Sequence, residues 1–210
     1  MHIAPRKPGA LLMRPRSYVL LLAALTATAP AFAQQSALTV PRNLEQLTDR
    51  AAVIVRGNIV SARMEKHPEL SNLDTVVVTL RVRETLKGQA GETFTFRQYV
   101  WDLRDRLNAV GYKKGQEVLL MMIEPSRYGL SSPAGMEQGR FRIERDGSGR
   151  EYAVNSRNNL GLFNGVGAEL AKGGIAPSPA AASLLAKHRR GPVELRELTA
   201  LIRQFATGSN

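Results

Sequence analysis

From Thr75 to Leu86 the chain alternates with a period of two. Val76, Val78, Leu80, Val82 and Leu86 share one parity, while Thr75, Thr79, Arg81 and Arg83 take the other. An extended strand puts such positions on opposite faces, so this stretch predicts a sheet with one face in a core and the other in water. The neighbouring segments are read against that strand. Lys87-Gly88-Gln89-Ala90-Gly91 is a turn, and Thr93-Phe94-Thr95-Phe96-Arg97 resumes the alternation with both phenylalanines on one side, which predicts a hairpin.

Upstream, Asn43 to Ala52 opens with an N-cap residue and sets Leu44 and Leu47 on one face, with Ala51 at the next turn; it reads as a short lead-in helix. Val53 to Met64 follows as a strand whose apolar positions change phase at Gly57, the signature of a bulge. Downstream, the period becomes helical from Asp102, with Leu103, Leu107 and Val110 in phase and Gly111 as a stop. Val118 to Ile123 is a continuous apolar run of strand length, expected to be buried on both faces. Gly139 to Arg145, the turn Asp146-Gly147-Ser148-Gly149, and Glu151 to Val154 form a second hairpin.

Strands interrupted by one short helix give the element order of an OB-type barrel. The expected fold class is therefore mainly β within α+β: a five- to six-stranded antiparallel OB-like barrel with a short inter-strand helix, an N-terminal lead-in helix and a C-terminal amphipathic helix. An open antiparallel sheet with a packed helix would give the same order. In the barrel reading, the loops Lys66 to Asp74 and Pro125 to Gln138 lie near a binding face.

After Asn155 the strand signal fades into glycines and prolines, read as a flexible connection. A short apolar-basic stretch from Ala180 to Arg190 precedes a final helix begun at Gly191-Pro192, with Leu195, Leu198, Ile202 and Phe205 on one face. Its polar face mixes Glu194, Arg196, Glu197 and Arg203, which favours docking on the barrel over a membrane or a partner. The expected division is 1–33 signal peptide, 34–160 β-barrel domain with its lead-in helix, and 161–210 linker and C-terminal helix.

The first 33 residues carry the address. Arg6, Lys7, Arg14 and Arg16, with no acidic residue, precede an apolar run from Tyr18 to Pro30, and Ala31-Phe32-Ala33 supplies a small-x-small cleavage site before Gln34. The run is shorter than the roughly 20 residues that span a bilayer. The arginines are not adjacent, which favours the general secretion route over the one that carries prefolded cofactor proteins. With no cysteine in the chain, a lipid anchor, a disulfide framework and thiolate chemistry are excluded. Cleavage would leave a soluble periplasmic or extracellular protein with no integral membrane segment. Its formal charge would fall from +11 by four basic residues to +7. Outside the cytoplasm that surplus points to an anionic envelope polymer rather than to nucleic acid.

Candidate chemistry is sparse. His67 and His188 are the two histidines after the leader, too few for a multi-histidine metal site, and both read as surface residues. Ser131-Ser132 lacks the Gly-x-Ser-x-Gly elbow of serine hydrolases. Neither Gly147-Ser148-Gly149 nor Gly165-Val166-Gly167 sits in the strand-to-helix setting of a dinucleotide site. Asp102 and Asp105 beside Tyr99 and Trp101 have the residue types of a glycosidase pair, but Asp102 serves equally as a helix cap. Tyr99, Trp101, Arg127, Tyr128 and Arg140 are the candidate ligand-binding side chains, as aromatic platforms and cationic clamps. No cofactor and no metal are expected.

Four stretches carry a resemblance: Ala52-Val53-Ile54-Val55-Arg56-Gly57-Asn58-Ile59-Val60, Val82-Arg83-Glu84-Thr85-Leu86-Lys87-Gly88, Gly115-Gln116-Glu117-Val118-Leu119-Leu120 and Gly139-Arg140-Phe141. From about Leu44 to Leu162 the chain resembles a group of uncharacterised exported bacterial proteins, distantly similar to the barrel of tissue metalloproteinase inhibitors. That inhibitor family acts through an N-terminal cysteine, which this chain lacks, so no inhibitory residue carries over. The resemblance implies export and a barrel. The expected function is a non-enzymatic exported binding or interaction module of the envelope. The alternatives are an accessory or inhibitor of another secreted protein, and a hydrolase using Asp102 and Asp105.

Overall fold

The computed structural model describes residues 40–100, 105, 109–174 and 176–208. They belong to one compact unit, Thr39–Asn210. The leader and its cleavage site at Ala33 and Gln34 lie outside the described residues, as do Trp101 and Asp102.

Seven antiparallel strands form a single sheet: β1 (Val53–Lys66), β2 (Asp74–Lys87), β3 (Thr93–Tyr99), β4 (Glu117–Met122), β5 (Arg140–Arg145), β6 (Glu151–Asn155) and β7 (Val193–Glu194). Their spatial order is β3-β2-β1-β4-β5-β6-β7. Among the described residues four helices accompany them: α1 (Leu44–Arg50), α2 (Val166–Lys172), α3 (Pro179–Lys187) and α4 (Leu195–Gly208).

The alternation of β2 does what its period requires. Val76, Val78 and Leu80 are fully buried, and Leu80 and Val78 pair across to Phe94 and Phe96 of β3. β1 is long and bent, with register shifts against β2 at Ile54/Val55, Arg56/Gly57 and Ile59/Ser61. Gly57 is required there, because a Cβ at that position would stand 2.3 Å from the Arg81 carbonyl oxygen. β4 is buried at every position. Its parity splits the molecule into two cores. Leu119 and Met121 join Ile54, Phe141 and the helices on one face. Val118, Leu120 and Met122 join Val55, Ile59, Val76, Val78, Leu80, Phe96 and Tyr112 on the other.

The sheet is not closed into a barrel. β5, β6 and β7 continue outward from β4 as a floor for the helices, so β3 and β7 remain separate edges. Segment Leu130–Pro133 reaches across the gap on the other side. It makes one parallel bridge from Leu130 to Arg97 of β3 and one antiparallel bridge from Pro133 to Met122 of β4.

The stretch after Asn155 is structured where a flexible connection is expected. Asn159 is fully buried, donating through Nδ2 to Ala153 O at 2.9 Å and Gly191 O at 2.8 Å, and accepting at Oδ1 from Asn155 N at 3.0 Å. Val166 and Leu170 of α2 and Ala181 of α3 then enter the helix-side core. Of the glycines that suggest flexibility, Gly161, Gly165, Gly173 and Gly174 sit at turns or helix ends between these anchors, and Gly167 lies within α2. α4 docks on the sheet: Leu198, Leu201 and Ile202 have no exposure, and Leu195 and Phe205 little. Of the expected inter-strand helix, the described residues show Asp105 in helical conformation and a 3-10 turn at Ala109–Gly111 in which Val110 is left-handed (φ 57°).

Candidate ligand-binding cleft

The open side of the bent sheet holds a cleft of about 320 Å³. Val53 and Met122, which face each other across the β1–β4 pairing, form part of its wall with Val77 of β2. Phe94 and Phe96 of β3 contribute aromatic surface, their ring centroids 6.1 Å apart. Ile123, Pro125, Gly129 and Ser131 of the loop after β4 complete the lining, with Arg97 the one charged residue. The volume lies at the small end of the ~300–1,000 Å³ range of ligand sites, and the lining is mainly apolar, as such sites are.

The loop is fixed rather than draped. Gly129, at φ +69°, closes a tight turn in which Ser126 N donates to Leu130 O at 2.8 Å and Gly129 N to Ser126 O at 2.8 Å. Ser131 N donates to Arg97 O at 2.8 Å, and Ser131 Oγ to Ile123 O at 2.7 Å. Ser131 is thus committed to holding the loop, which agrees with the missing nucleophile elbow.

A second loop supports the first. His67 is 2% exposed, not a surface residue. Its Nδ1 accepts from Glu69 N at 3.2 Å and Leu70 N at 3.1 Å, so the proton resides on Nε2, which donates to Tyr128 O at 2.9 Å. The Tyr128 ring stands edge-on to the imidazole at 6.3 Å. The loops Lys66 to Asp74 and Pro125 to Gln138 therefore meet through His67 and Tyr128, beside the cleft. Arg97 is anchored at the same end: Nη1 donates to Thr75 Oγ1 at 2.7 Å and Nη2 pairs with Glu65 Oε2 at 3.1 Å.

The side chains singled out from sequence fall in three places. Arg127 and Tyr128 lie together on the covering loop, the guanidinium 4.7 Å from the ring centroid and its Nη2 donating to the phenol oxygen at 2.8 Å. Tyr99 ends β3 opposite Thr75, at the end of the hairpin that carries Arg97. Arg140 is elsewhere. It sits over the ring of Tyr112 at 4.3 Å, donates from Nη1 to Val110 O at 2.7 Å and pairs with Glu137 at 3.0 Å, a packing role at the base of the second core. Burial raises the pKa of the Glu137 carboxyl, Arg140 opposes the rise, and the charge of Asp105 adds to it. Burial likewise raises the Tyr112 phenol well above its ordinary value. Val53, Phe94, Phe96 and Met122, which form the cleft, read in the sequence only as core. Their convergence depends on the bend in β1, which alternation does not report.

The helix-side face carries the opposite chemistry. Glu117, whose side chain is 5% exposed, accepts at Oε1 from Arg56 Nε at 2.8 Å and at Oε2 from Arg145 Nη2 at 2.7 Å. Both arginines also bridge to Glu151, at 2.7 and 2.6 Å. Desolvation works against Glu151, yet hydrogen bonds from Arg145 and Arg56 hold its carboxyl below the usual range. Arg203 of α4 pairs with Glu84 on the same face. This network clamps four strands, and every one of its charges has a partner. Among the described residues, no group of three His, Asp or Glu could hold a metal ion, and no helix is long and apolar enough to cross a membrane.

No family model matches the chain, and no curated protein or solved structure matches it.

Proposed function

We propose that the chain is a non-catalytic binding module, exported to the bacterial envelope, that receives an apolar group in the cleft beneath the Ser126–Leu130 turn. The observation that carries this reading is the pinning of the cleft. Its covering loop is tied to β3 through Ser131, to β4 through Pro133 and to the β1–β2 loop through His67, so the cavity exists before any ligand arrives. A site organised in advance spares a ligand the entropy of ordering it. Export rests on the leader and on the resemblance in strand and turn patterns. A second reading, as an accessory that recognises another secreted protein, draws on the position of β3. That strand is a sheet edge, and Thr95, exposed on it, lines the cleft. An extended segment of a partner added to that edge would place a side chain at the cavity.

Protein purified from the exported fraction is expected to begin at Gln34 and to bind a naphthyl reporter saturably, one per chain. Thr95→Trp fills the cleft from an exposed strand position, so it should weaken the reporter by about tenfold or more, some 1.4 kcal/mol, at unchanged thermal stability. Undiminished binding by the filled variant would place the ligand elsewhere.

A further inference from the structure

We propose that the segment Ser183–Arg190, at the C-terminal end of α3, docks the protein on an anionic phospholipid surface. The proposal is independent of the cleft, and its observations lie on another part of the molecule.

The first observation is a cluster of uncompensated charge. Among the described residues ten arginines are ion-paired, from Arg56 on β1 to Arg203 on α4. Lys187, Arg189 and Arg190 form no such pair, and all three are exposed. Arg81, Lys113 and Lys114 are also exposed without such a pair, but Lys187, Arg189 and Arg190 stand within four positions of one another. No acidic residue occurs between Lys172 and Glu194. The negative end of the α3 dipole accounts for Lys187 in the last turn, but Arg189 and Arg190 lie beyond the helix.

The second observation is what stands next to the charge. α3 has nine residues, of which Ala181 alone is buried. Leu184 is half-buried and lines a shallow groove of about 490 Å³ together with Ser183, Lys187, His188, Arg189 and Arg190. An apolar side chain ringed by cations is the arrangement of interfacial segments, in which the leucine enters the acyl boundary and the cations meet the phosphates. Leu184 also packs against the helix-side core, so the part of it left exposed is the part beside the cations.

The third observation is rigidity. His188 donates from Nε2 to Gly191 O at 3.1 Å, and its ring packs edge-on against Phe163 at 5.1 Å. His188 N also caps Leu184 O at 2.8 Å. The turn that carries Arg189 and Arg190 is therefore tied to the helix-side core, and their backbone is positioned before contact.

The test is co-sedimentation of the exported form, whose two cores lie wholly within the described residues, with vesicles of phosphatidylcholine alone or mixed with phosphatidylglycerol, at low salt. Wild type should bind the mixed vesicles and ignore the neutral ones. Each basic residue near an anionic surface contributes about fivefold, so Lys187→Gln/Arg189→Gln/Arg190→Gln should lose roughly a hundredfold. The control Arg81→Gln/Lys113→Gln/Lys114→Gln removes the same charge from exposed positions elsewhere and should lose far less. Leu184→Ser should weaken binding with all three cations present. Equal losses in the two triple variants, or binding without preference for phosphatidylglycerol, would overturn the proposal. So would displacement by inorganic phosphate beyond that by chloride of equal ionic strength, because the site would then belong to a free anion.

Discussion

Two side chains show how much of this fold depends on single polar residues. Asn159 is fully buried, left-handed at φ 54°, and bonded to Ala153, Asn155 and Gly191. Asn159→Ala would orphan those backbone groups and place a Cβ-only residue in a strained conformation. It should cost at least about 2 kcal/mol in urea unfolding; a loss under about 0.5 kcal/mol would contradict the role given to it. Asp146 acts at the surface. Its carboxylate accepts from Ser148 Oγ at 2.6 Å and Ser148 N at 2.9 Å, and pairs with Arg150 at 3.1 Å. The Ser148 hydroxyl, against an opposing desolvation, and then the bonds from Arg150 hold the Asp146 pKa at about 2, below the ordinary 3.8. A depressed carboxylate stabilises the fold above its unfolded pKa, and that contribution disappears as pH falls from about 4 to about 2. Asp146→Asn should flatten the stability profile in that window and leave the slope above it unchanged. An unaltered acid limb would show that the turn does not need the charge. Asp146 is legible in the sequence because Ser148 and Arg150, which hold its charge, are within four residues. Asn159 is not, because Gly191 is 32 positions away.

At the scale of elements, legibility follows the same distinction. The alternation of β2, the doubly buried run of β4 and the lead-in helix with its Asn43–Gln46 capping box are local patterns, and each predicts its element. The bulge at Gly57 is legible as a phase change. α2 and α3 are not legible, since they are short, rich in small residues and stabilised by contacts with the core rather than by periodicity. Glu117 is a further case: one acidic residue before an apolar run says nothing of two arginines arriving from β1 and β5. The apolar face of α4 is legible, but its start is not: the helix begins at Leu195 rather than at Gly191-Pro192, because Val193–Glu194 pairs with β6 as β7. Ile202 is fully buried between helices and sheet, and Ile202→Ala should cost about 2–5 kcal/mol. Arg203→Gln, which breaks an ion pair half in water, should cost under about 1 kcal/mol. Comparable losses in the two variants would mean that α4 is held by charge and not by its apolar face.

At the scale of the molecule, the antiparallel sheet is legible and its openness is not. The same element order serves a closed barrel and a sheet that extends beyond β4, and the choice is made by the helix-side core. β5, β6 and β7 are occupied under the helices and cannot turn back to β3. The gap left at β3 is spanned by the Leu130–Pro133 bridges, and beside them lies the cleft. Tyr128 and Arg127 stand out in the sequence as an aromatic and a cation in a long loop, and they lie on the loop beside the cleft without lining it. The apolar wall of that cleft, Val53, Phe94, Phe96 and Met122, reads in the sequence as core, whereas Pro125, Gly129 and Ser131 belong to the loop. Amide hydrogen exchange of the purified protein, with and without a saturating naphthyl ligand, addresses the binding claim without assuming where the ligand goes. Slowed exchange confined to residues 94–97 and 123–131 is the predicted result, whereas protection elsewhere with those segments unchanged would contradict it.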